Sequence, residues 1–194
     1  MRENHKMRFS YQSIIKKLLK DILGKITPAS DEPKDLFESF QPFEKIKVDL
    51  VRVVDGDTLK LAYKKATFRV RLLIIDTPES VEANHLVMPL GKEVAYYTTK
   101  WANRAQKIEI AFDIGQRKDR FDRYLVYLYL DGKLLQTDLL KKGYAIVRYV
   151  AEGNDTKADD FLSFQQIAKD KNRGVWQIPG YVYCQNKNEY NFKK

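Results

Sequence analysis

Three strand patterns follow one another between residues 46 and 75, and the shortness of their connections constrains the fold more than any other feature. Residues 46–54, 58–63 and 68–75 are rich in apolar, β-branched and aromatic side chains, and the turn residues Asp55 and Gly56 separate the first two. A crossover between parallel strands needs a dozen or more residues. Since three or four residues separate these segments, the pattern excludes a parallel sheet built from βαβ units.

Helices and strands are mixed in the remainder of the chain. The predicted elements are a helix from about residue 89, strands at 108–112 and 123–130, a short helix at 135–140 ended by Gly143, and a helix from about residue 155 to 174. In the first helix, Val94, Tyr97, Trp101 and Ala105 share one face. This order predicts an α+β fold, a small partly open barrel of five strands with about three packed helices.

Residues 1–44 are predicted to be an extension of the domain at 45–178, and residues 179–194 a tail without regular periodicity. Within the extension, residues 11–26 form a basic amphipathic helix pattern that continues into an acidic linker. Its apolar stripe suits packing on the domain, a protein partner or a membrane surface. The chain contains neither a standard signal peptide nor an apolar run long enough to span a membrane. Its compartment therefore stays open between secretion and membrane association.

The charge favours a polyanionic partner. Residues 45–194 carry 27 Lys and Arg against 19 Asp and Glu, and a basic excess attracts nucleic acid or an anionic membrane. A single cysteine, Cys184, excludes an internal disulfide and a thiolate zinc cluster. With only two histidines, any metal site is expected to use hard oxygen ligands.

Carboxylates bracket the most apolar strand, residues 72–75. Asp57, Asp76 and Glu79 offer oxygen ligands of the kind that calcium and magnesium prefer, although an Asp-Gly-Asp sequence is also a common hairpin turn. Glu79 follows Pro78, which stiffens the chain, so this carboxylate can orient or deprotonate water near a metal. Together with Arg71, whose planar fork suits a phosphate, the cluster favours metal-assisted chemistry on a phosphodiester.

Two further segments offer substrate contacts. Residues 116–123 form a charged loop, which is either a solvated hairpin loop or a contact for substrate. The loop enters a strand at Arg123, which fixes this arginine better than its neighbours. Tyr149 lies before the last long loop and suits either stacking on a base or packing in the fold. Arg69 and Arg71 lie on one face of their strand, which is either exposed at a sheet edge or directed into a cleft.

Four sequence boxes together resemble the staphylococcal nuclease (thermonuclease) family. They are Asp55-Gly56-Asp57-Thr58, Arg71 to Glu79 with Asp76-Thr77-Pro78-Glu79 at its end, Gly115 to Arg123, and Gly174-Val175-Trp176. The boxes occur in the family's order and at similar separations over about residues 45–178. The resemblance implies an OB-fold barrel and calcium-dependent hydrolysis of single-stranded DNA and RNA to 3′-phosphate products, by a protein that we expect to be a monomer.

The resemblance also implies a role for each matching residue. Carboxylates of Asp57 and Asp76 and the carbonyl of Thr77 would bind Ca²⁺, while Glu79 would position or deprotonate the attacking water. Arg71 and Arg123 would hold the phosphate and stabilise the charge that develops on it. The residues that would line the nucleotide pocket are Arg120, Phe121 and Tyr149.

Two positions depart from the family pattern. Asp122 stands where glycine is common and Phe121 where tyrosine is common. Aspartate tolerates left-handed backbone angles, so the turn is expected to survive, but its charge is expected to weaken the grip of Arg123 on phosphate. The alternative function is a non-catalytic nucleic-acid-binding OB-fold module. A degenerate copy should lose at least one of the five residues Asp57, Arg71, Asp76, Glu79 and Arg123, and this chain retains all five.

Overall fold

The structure is a computed structural model. It describes residues 35–80, 87–186 and 189–193. The chain divides into two compact units, residues 1–40 and 41–194. In the first unit, the Phe37 amide donates to Asp35 Oδ1 at 2.8 Å and the ring centroids of Phe37 and Phe40 lie 6.1 Å apart. The predicted N-terminal helix falls outside the described residues.

The second unit contains a β-barrel with helices packed on it. Its strands are β1 (Ile46–Asp55), β2 (Thr58–Tyr63), β3 (Ala66–Leu72), β4 (Ile75–Asp76), β5 (Ile108–Ala111), β6 (Tyr124–Leu130), β7 (Lys133–Leu134), β8 (Ile146–Val147), β9 (Val182–Asn186) and β10 (Glu189–Phe192). Its helices are α1 (Gly91–Arg104), α2 (Leu135–Lys142) and α3 (Ala158–Asp170), followed by a 3₁₀ turn at Gly174–Gln177.

Five strands close the barrel. The antiparallel order is β3-β2-β1-β5-β6, and β6 returns to pair with β3 in parallel. The barrel interior is apolar, with Leu59, Leu61, Val70, Ile110 and Val126 fully buried. The predicted α+β class, the five-stranded OB-fold barrel and the three packed helices are confirmed.

The apolar run 68–75 was predicted as one strand, and this prediction is wrong at its end. β3 stops at Leu72, and Ile74 adopts a φ of 66°, which is uncommon for a β-branched residue. The chain turns so that Ile75 and Asp76 pair with Val147 and Ile146 of β8. The run contains no glycine or other turn residue, so no local pattern indicates this break.

Helix α1 buries a different face from the predicted one. Val94 is buried as expected, but Thr98 and Ala102 lie beside it in the interface, and Tyr97 and Trp101 are half-buried. Small side chains bring the helix close to the barrel, and Thr98 Oγ1 donates to the Gly56 carbonyl at 2.8 Å. A helix seated in this way supports the turn between β1 and β2.

Residues 179–194 were predicted as a tail without regular periodicity, and the structure shows a hairpin of β9 and β10 in this segment. Tyr181 and Phe192 of this segment are buried with Ile146 and Val175. The apolar residues of this segment do not alternate regularly with polar ones, which explains the missed hairpin. No helix among the described residues combines the length and apolarity that a membrane crossing requires.

Candidate active site

One arginine and two buried aspartates form the centre of the site. Arg71 Nη2 lies 2.6 Å from Asp76 Oδ1, and Arg71 Nη1 pairs with Asp57 Oδ1. Because β2 and β3 are paired with Thr58 opposite Arg71, the arginine lies directly beside the turn that carries Asp57. The turn after β3 then brings Asp76 to the same guanidinium.

A second arginine, which the sequence reasoning missed, holds Asp76 from its other side. Arg148 Nη1 donates to Asp76 Oδ2 at 2.8 Å, since Arg148 directly follows β8, the partner of β4. Its Nε is buried and has no hydrogen-bond partner among the described residues. Only the β4–β8 pairing places Arg148 here, so no local sequence signal identifies it.

Asp57 is fixed by its neighbours as well as by Arg71. Its Oδ2 accepts hydrogen bonds from the amide and the hydroxyl of Thr77, both at 2.9 Å, and its Oδ1 accepts one from Thr58 Oγ1 at 3.0 Å. Gly56 makes this arrangement possible, because a Cβ there would lie 2.7 Å from both Thr77 Oγ1 and Val94 Cγ1. The turn, α1 and Thr77 are therefore packed as one piece around the carboxylate.

Glu79 lies at the same end of the barrel with its side chain exposed. Partial burial, a hydrogen bond with Asp55 and the charges of Asp55 and Asp76 raise the pKa of Glu79 to about 7, while Arg71 opposes the rise. Asp55 in turn accepts hydrogen bonds from Ser80 Oγ and the Gly56 amide, both at 2.7 Å. Glu79 is thus a carboxyl that can exchange a proton near neutral pH.

Arg123 is organised by an aspartate within its own loop. Asp119 Oδ2 lies 2.8 Å from Arg123 Nε and 2.7 Å from its Nη2, while Oδ1 accepts the amides of Phe121 and Arg123. Partial burial acts to raise the pKa of Asp119, but the hydrogen bonds from Arg123 and Phe121 outweigh it and lower this pKa. Asp119 thus holds both the side chain of Arg123 and the backbone of its loop, although no sequence pattern singled it out.

The two departures from the family pattern both lie in this loop. Asp122 adopts the left-handed conformation with a φ of 59°, and its carboxylate pairs with Lys118 Nζ at 2.7 Å rather than with Arg123. The turn survives, as expected. Phe121 is half-exposed, with the guanidinium groups of Arg120 and Arg123 at 4.8 and 5.4 Å from its ring.

Tyr149 faces these groups from a second loop. Its φ is 57°, and the guanidinium carbons of Arg148 and Arg71 lie 4.5 and 5.8 Å from its ring. The two loops touch through glycines, since a Cβ on Gly115 would lie 2.6 Å from the Gly153 carbonyl carbon. Close backbone packing therefore sets the distance between the loops that carry the arginines and the tyrosine.

These elements enclose a cleft of about 1040 Å³. The predicted site residues that line it are Asp57, Arg71, Asp76, Glu79, Arg120, Phe121, Arg123 and Tyr149. Thr77 is buried beside the cleft. Among the described residues, no three acidic, histidine or cysteine side chains come together as metal ligands, so a cation here would use two carboxylates, with carbonyl and water oxygens completing its shell.

Comparison with known proteins places this cleft in a family. The family model "Staphylococcal nuclease homologue" matches residues 69–178, which include the motif at Asp76 and the loop at Arg123 but not Asp57. The SPbeta prophage-derived endonuclease YokF of Bacillus subtilis is 41% identical over 139 residues, 72% of this chain and 47% of that protein. Endonuclease YncB of the same organism is 39% identical over 137 residues, 71% of this chain and 64% of that protein.

A thermonuclease from Staphylococcus intermedius is 31% identical over 143 residues, 70% of this chain and 83% of that protein. The chain thus spans about half to two thirds of the two Bacillus relatives and most of the staphylococcal one. These matches agree with the barrel fold and with the order of the site residues along the chain. The chain therefore belongs to the staphylococcal nuclease family.

Proposed function

We propose that this chain is a calcium-dependent phosphodiesterase that hydrolyses single-stranded DNA and RNA and leaves 3′-phosphates. The observation that carries the proposal is the convergence of two buried carboxylates, Arg71, Glu79 and Arg123 on one cleft. The family membership supports the reaction class, and the nuclease names of the relatives support the substrate class.

The donor set fits a hard divalent cation. The side chains of Asp57 and Asp76 are 5% and 10% exposed and are paired to one guanidinium, which supports a site where both carboxylates face the same positive charge. Two carboxylates, the Thr77 carbonyl and water suit the flexible shell of Ca²⁺ better than the strict octahedron of Mg²⁺. When bound, the cation would supply Lewis acidity toward a phosphate oxygen.

The side chains of the cleft then divide the remaining tasks. Glu79 would accept the proton of the attacking water at a carboxylate oxygen, since Glu79 is not a proposed metal ligand. Arg71 would donate its fork to the phosphate, and Arg123, aligned by Asp119, would meet the phosphate from the other wall. Preorganised donors of this kind stabilise the charge that develops in the transition state.

The exposed aromatic rings supply sequence-tolerant contacts. Phe121 and Tyr149 are 53% and 57% exposed, and a base has a face that can stack on either ring. Bases are accessible in this way in single strands, whereas a duplex buries them. We therefore propose single-stranded DNA and RNA as substrates.

The test is digestion of single-stranded DNA and RNA by the purified full chain with Ca²⁺, with Mg²⁺ or with EGTA. Cleavage with Ca²⁺ and little with Mg²⁺ or EGTA is the expected result, and end-labelling should detect 3′-phosphates. Asp76→Asn, which keeps the side-chain size but removes the charge, should abolish the calcium effect. Cleavage that is equal in EGTA contradicts the calcium assignment, and binding without cleavage favours the non-catalytic module.

A second proposal concerns residues 11–26. We propose that this segment binds a protein partner or a membrane surface. Sedimentation with anionic vesicles at low and high salt separates the two. Salt-sensitive binding by the full chain, lost in a variant without residues 1–34, supports the membrane surface. Absence of vesicle binding leaves a protein partner or packing on the domain.

A further inference from the structure

The C-terminal hairpin contacts the segment that holds Glu79 in place. Tyr181 Oη donates a hydrogen bond to the Pro89 carbonyl at 3.0 Å, and Met88 and Leu90 pack against the cluster of Ile146, Val175, Tyr181 and Phe192. Tyr181 is 4% exposed. Burial raises the pKa of its hydroxyl, and the negative charge of Asp76 raises it further. The hydroxyl therefore stays protonated and can donate.

The segment that Tyr181 holds is in direct contact with the backbone of Glu79. The Met88 amide donates to the Glu79 carbonyl at 3.0 Å. At the beginning of α1, a Cβ on Gly91 would lie 2.2 Å from the same carbonyl oxygen. The Glu79 carbonyl therefore sits in the turn formed by residues 88–91, and any shift of that turn moves Glu79.

This turn is also conformationally strained. Leu90 adopts a φ of 65°, and non-glycine residues in the left-handed region keep that conformation only when their surroundings impose it. The Tyr181 hydroxyl bonds to Pro89, the residue before Leu90, and Leu90 itself packs against the apolar cluster that contains Tyr181 and Phe192. The hairpin lies beyond the matched family region, residues 69–178.

We propose that Tyr181 is a positioning residue for Glu79, acting through Pro89 and the 88–91 turn. The inference rests on the proposed function, in which Glu79 accepts the proton from the attacking water. It predicts that the hydrogen bond affects the chemical step more than it affects substrate or Ca²⁺ binding. A misplacement of about 1 Å at a reacting group can cost on the order of 10²-fold in rate.

The experiment uses the full chain with Tyr181→Phe, which keeps the ring in the cluster and removes the hydroxyl. We expect kcat on single-stranded DNA to fall about 10-fold or more, with KM and the Kd for Ca²⁺ within about twofold of wild type. Tyr183→Phe is the matched control, since Tyr183 lies on the same hairpin and is 47% exposed. It should leave kcat unchanged.

A double variant tests whether the effect passes through Glu79. If it does, Tyr181→Phe should lower kcat no further in a Glu79→Gln background, because coupled residues are not additive. A lowered melting temperature with unchanged kcat overturns the inference, as does full additivity in the double variant or an equal loss of Ca²⁺ affinity. A wild-type chain that does not cleave with Ca²⁺ overturns the proposed function, and the inference with it.

Discussion

The two walls of the cleft hold their charges in different ways. In the carboxylate wall, formed by Asp57, Arg71 and Asp76, the paired side chains are 5–12% exposed. In the loop wall, residues 116–123, the side chains of the ion pairs range from 18% to 79% exposed. The first wall is built by strand pairing, whereas the second is built by local hydrogen bonds to Asp119.

This difference has energetic consequences. Removing one partner of a buried pair leaves an uncompensated charge and typically costs about 3–5 kcal/mol. An exposed pair is worth about 0–1 kcal/mol because water and salt screen it. Substitutions in the carboxylate wall should therefore change both stability and activity, while substitutions at the outer edge of the loop wall should change little.

Glu79→Gln should give the largest loss of turnover, and it tests the chemical step separately from the structure of the adjacent carboxylate wall. General acid–base help is worth about 10²–10⁴-fold, so turnover should fall within that range. Because Glu79 is exposed and is not a proposed ligand, the Kd for Ca²⁺ from calorimetry should change less than in Asp57→Ala or Asp76→Ala. Near-normal turnover in a folded Glu79→Gln variant would show that another group accepts the proton.

Lysine replacements compare the two walls directly. Arg71→Lys and Arg123→Lys keep the charge but lose the fork that meets a phosphate, and the loss of such a donor costs about 10²–10³-fold in turnover. Arg71→Lys should also lower the melting temperature more than Arg123→Lys, because two buried aspartates depend on its fork.

Lys118→Ala is the control for this comparison. Lys118 lies in the same loop but pairs with the exposed Asp122, so its loss should cost far less turnover than either arginine variant. Equal and mild losses in all three variants would mean that the loop supplies only a diffuse positive field.

The sequence predicted the parts of the site that depend on local patterns. The hairpin spacing, the alternation in β6 and the turn at Asp55-Gly56 were readable because each needs only neighbouring residues. The left-handed Asp122 was also expected from residue chemistry. These features settled the barrel and most of the cleft lining.

The features that were missed depend on distant contacts. Arg148 reaches Asp76 only because β8 pairs with β4, and Tyr181 meets Pro89 across 92 positions of sequence. The break at Ile74 occurs inside an apolar run, where tertiary contacts override the local preference. The surroundings of Asp76 in the carboxylate wall therefore could not be completed from local patterns alone.

Asp119→Asn probes the anchored part of the loop wall through pH. Hydrogen bonds from Arg123 and Phe121 hold the pKa of Asp119 below its usual range despite partial burial. Because this pKa is lower in the folded state than the unfolded-state value of 3.8, the ionised carboxylate stabilises the fold at pH values above 3.8. The stabilisation is lost as the pH falls through the folded-state pKa. The variant should thus be about 1–3 kcal/mol less stable at pH 7, as measured by denaturant unfolding.

The pH dependence distinguishes this loss from a packing effect. When wild type is itself protonated at Asp119, in strongly acidic solution, the difference between the two proteins should shrink. A stability difference that stays constant from pH 7 down to the acid transition would mean that the carboxylate charge does not organise the loop.

Asp122→Gly should have the smallest effect and tests the outer edge of the loop wall. The φ of 59° suits glycine, and the side chain that is removed is 79% exposed and paired only with Lys118. A pair of this kind is worth about 0–1 kcal/mol, so turnover should change by less than about fivefold. The Asp122 charge lies beside Arg123 in sequence, but the carboxylate that pairs with Arg123 is that of Asp119. A gain well above fivefold in kcat/KM would show that Asp122 weakens the hold of Arg123 on phosphate, and the two parts of the loop wall would then be coupled.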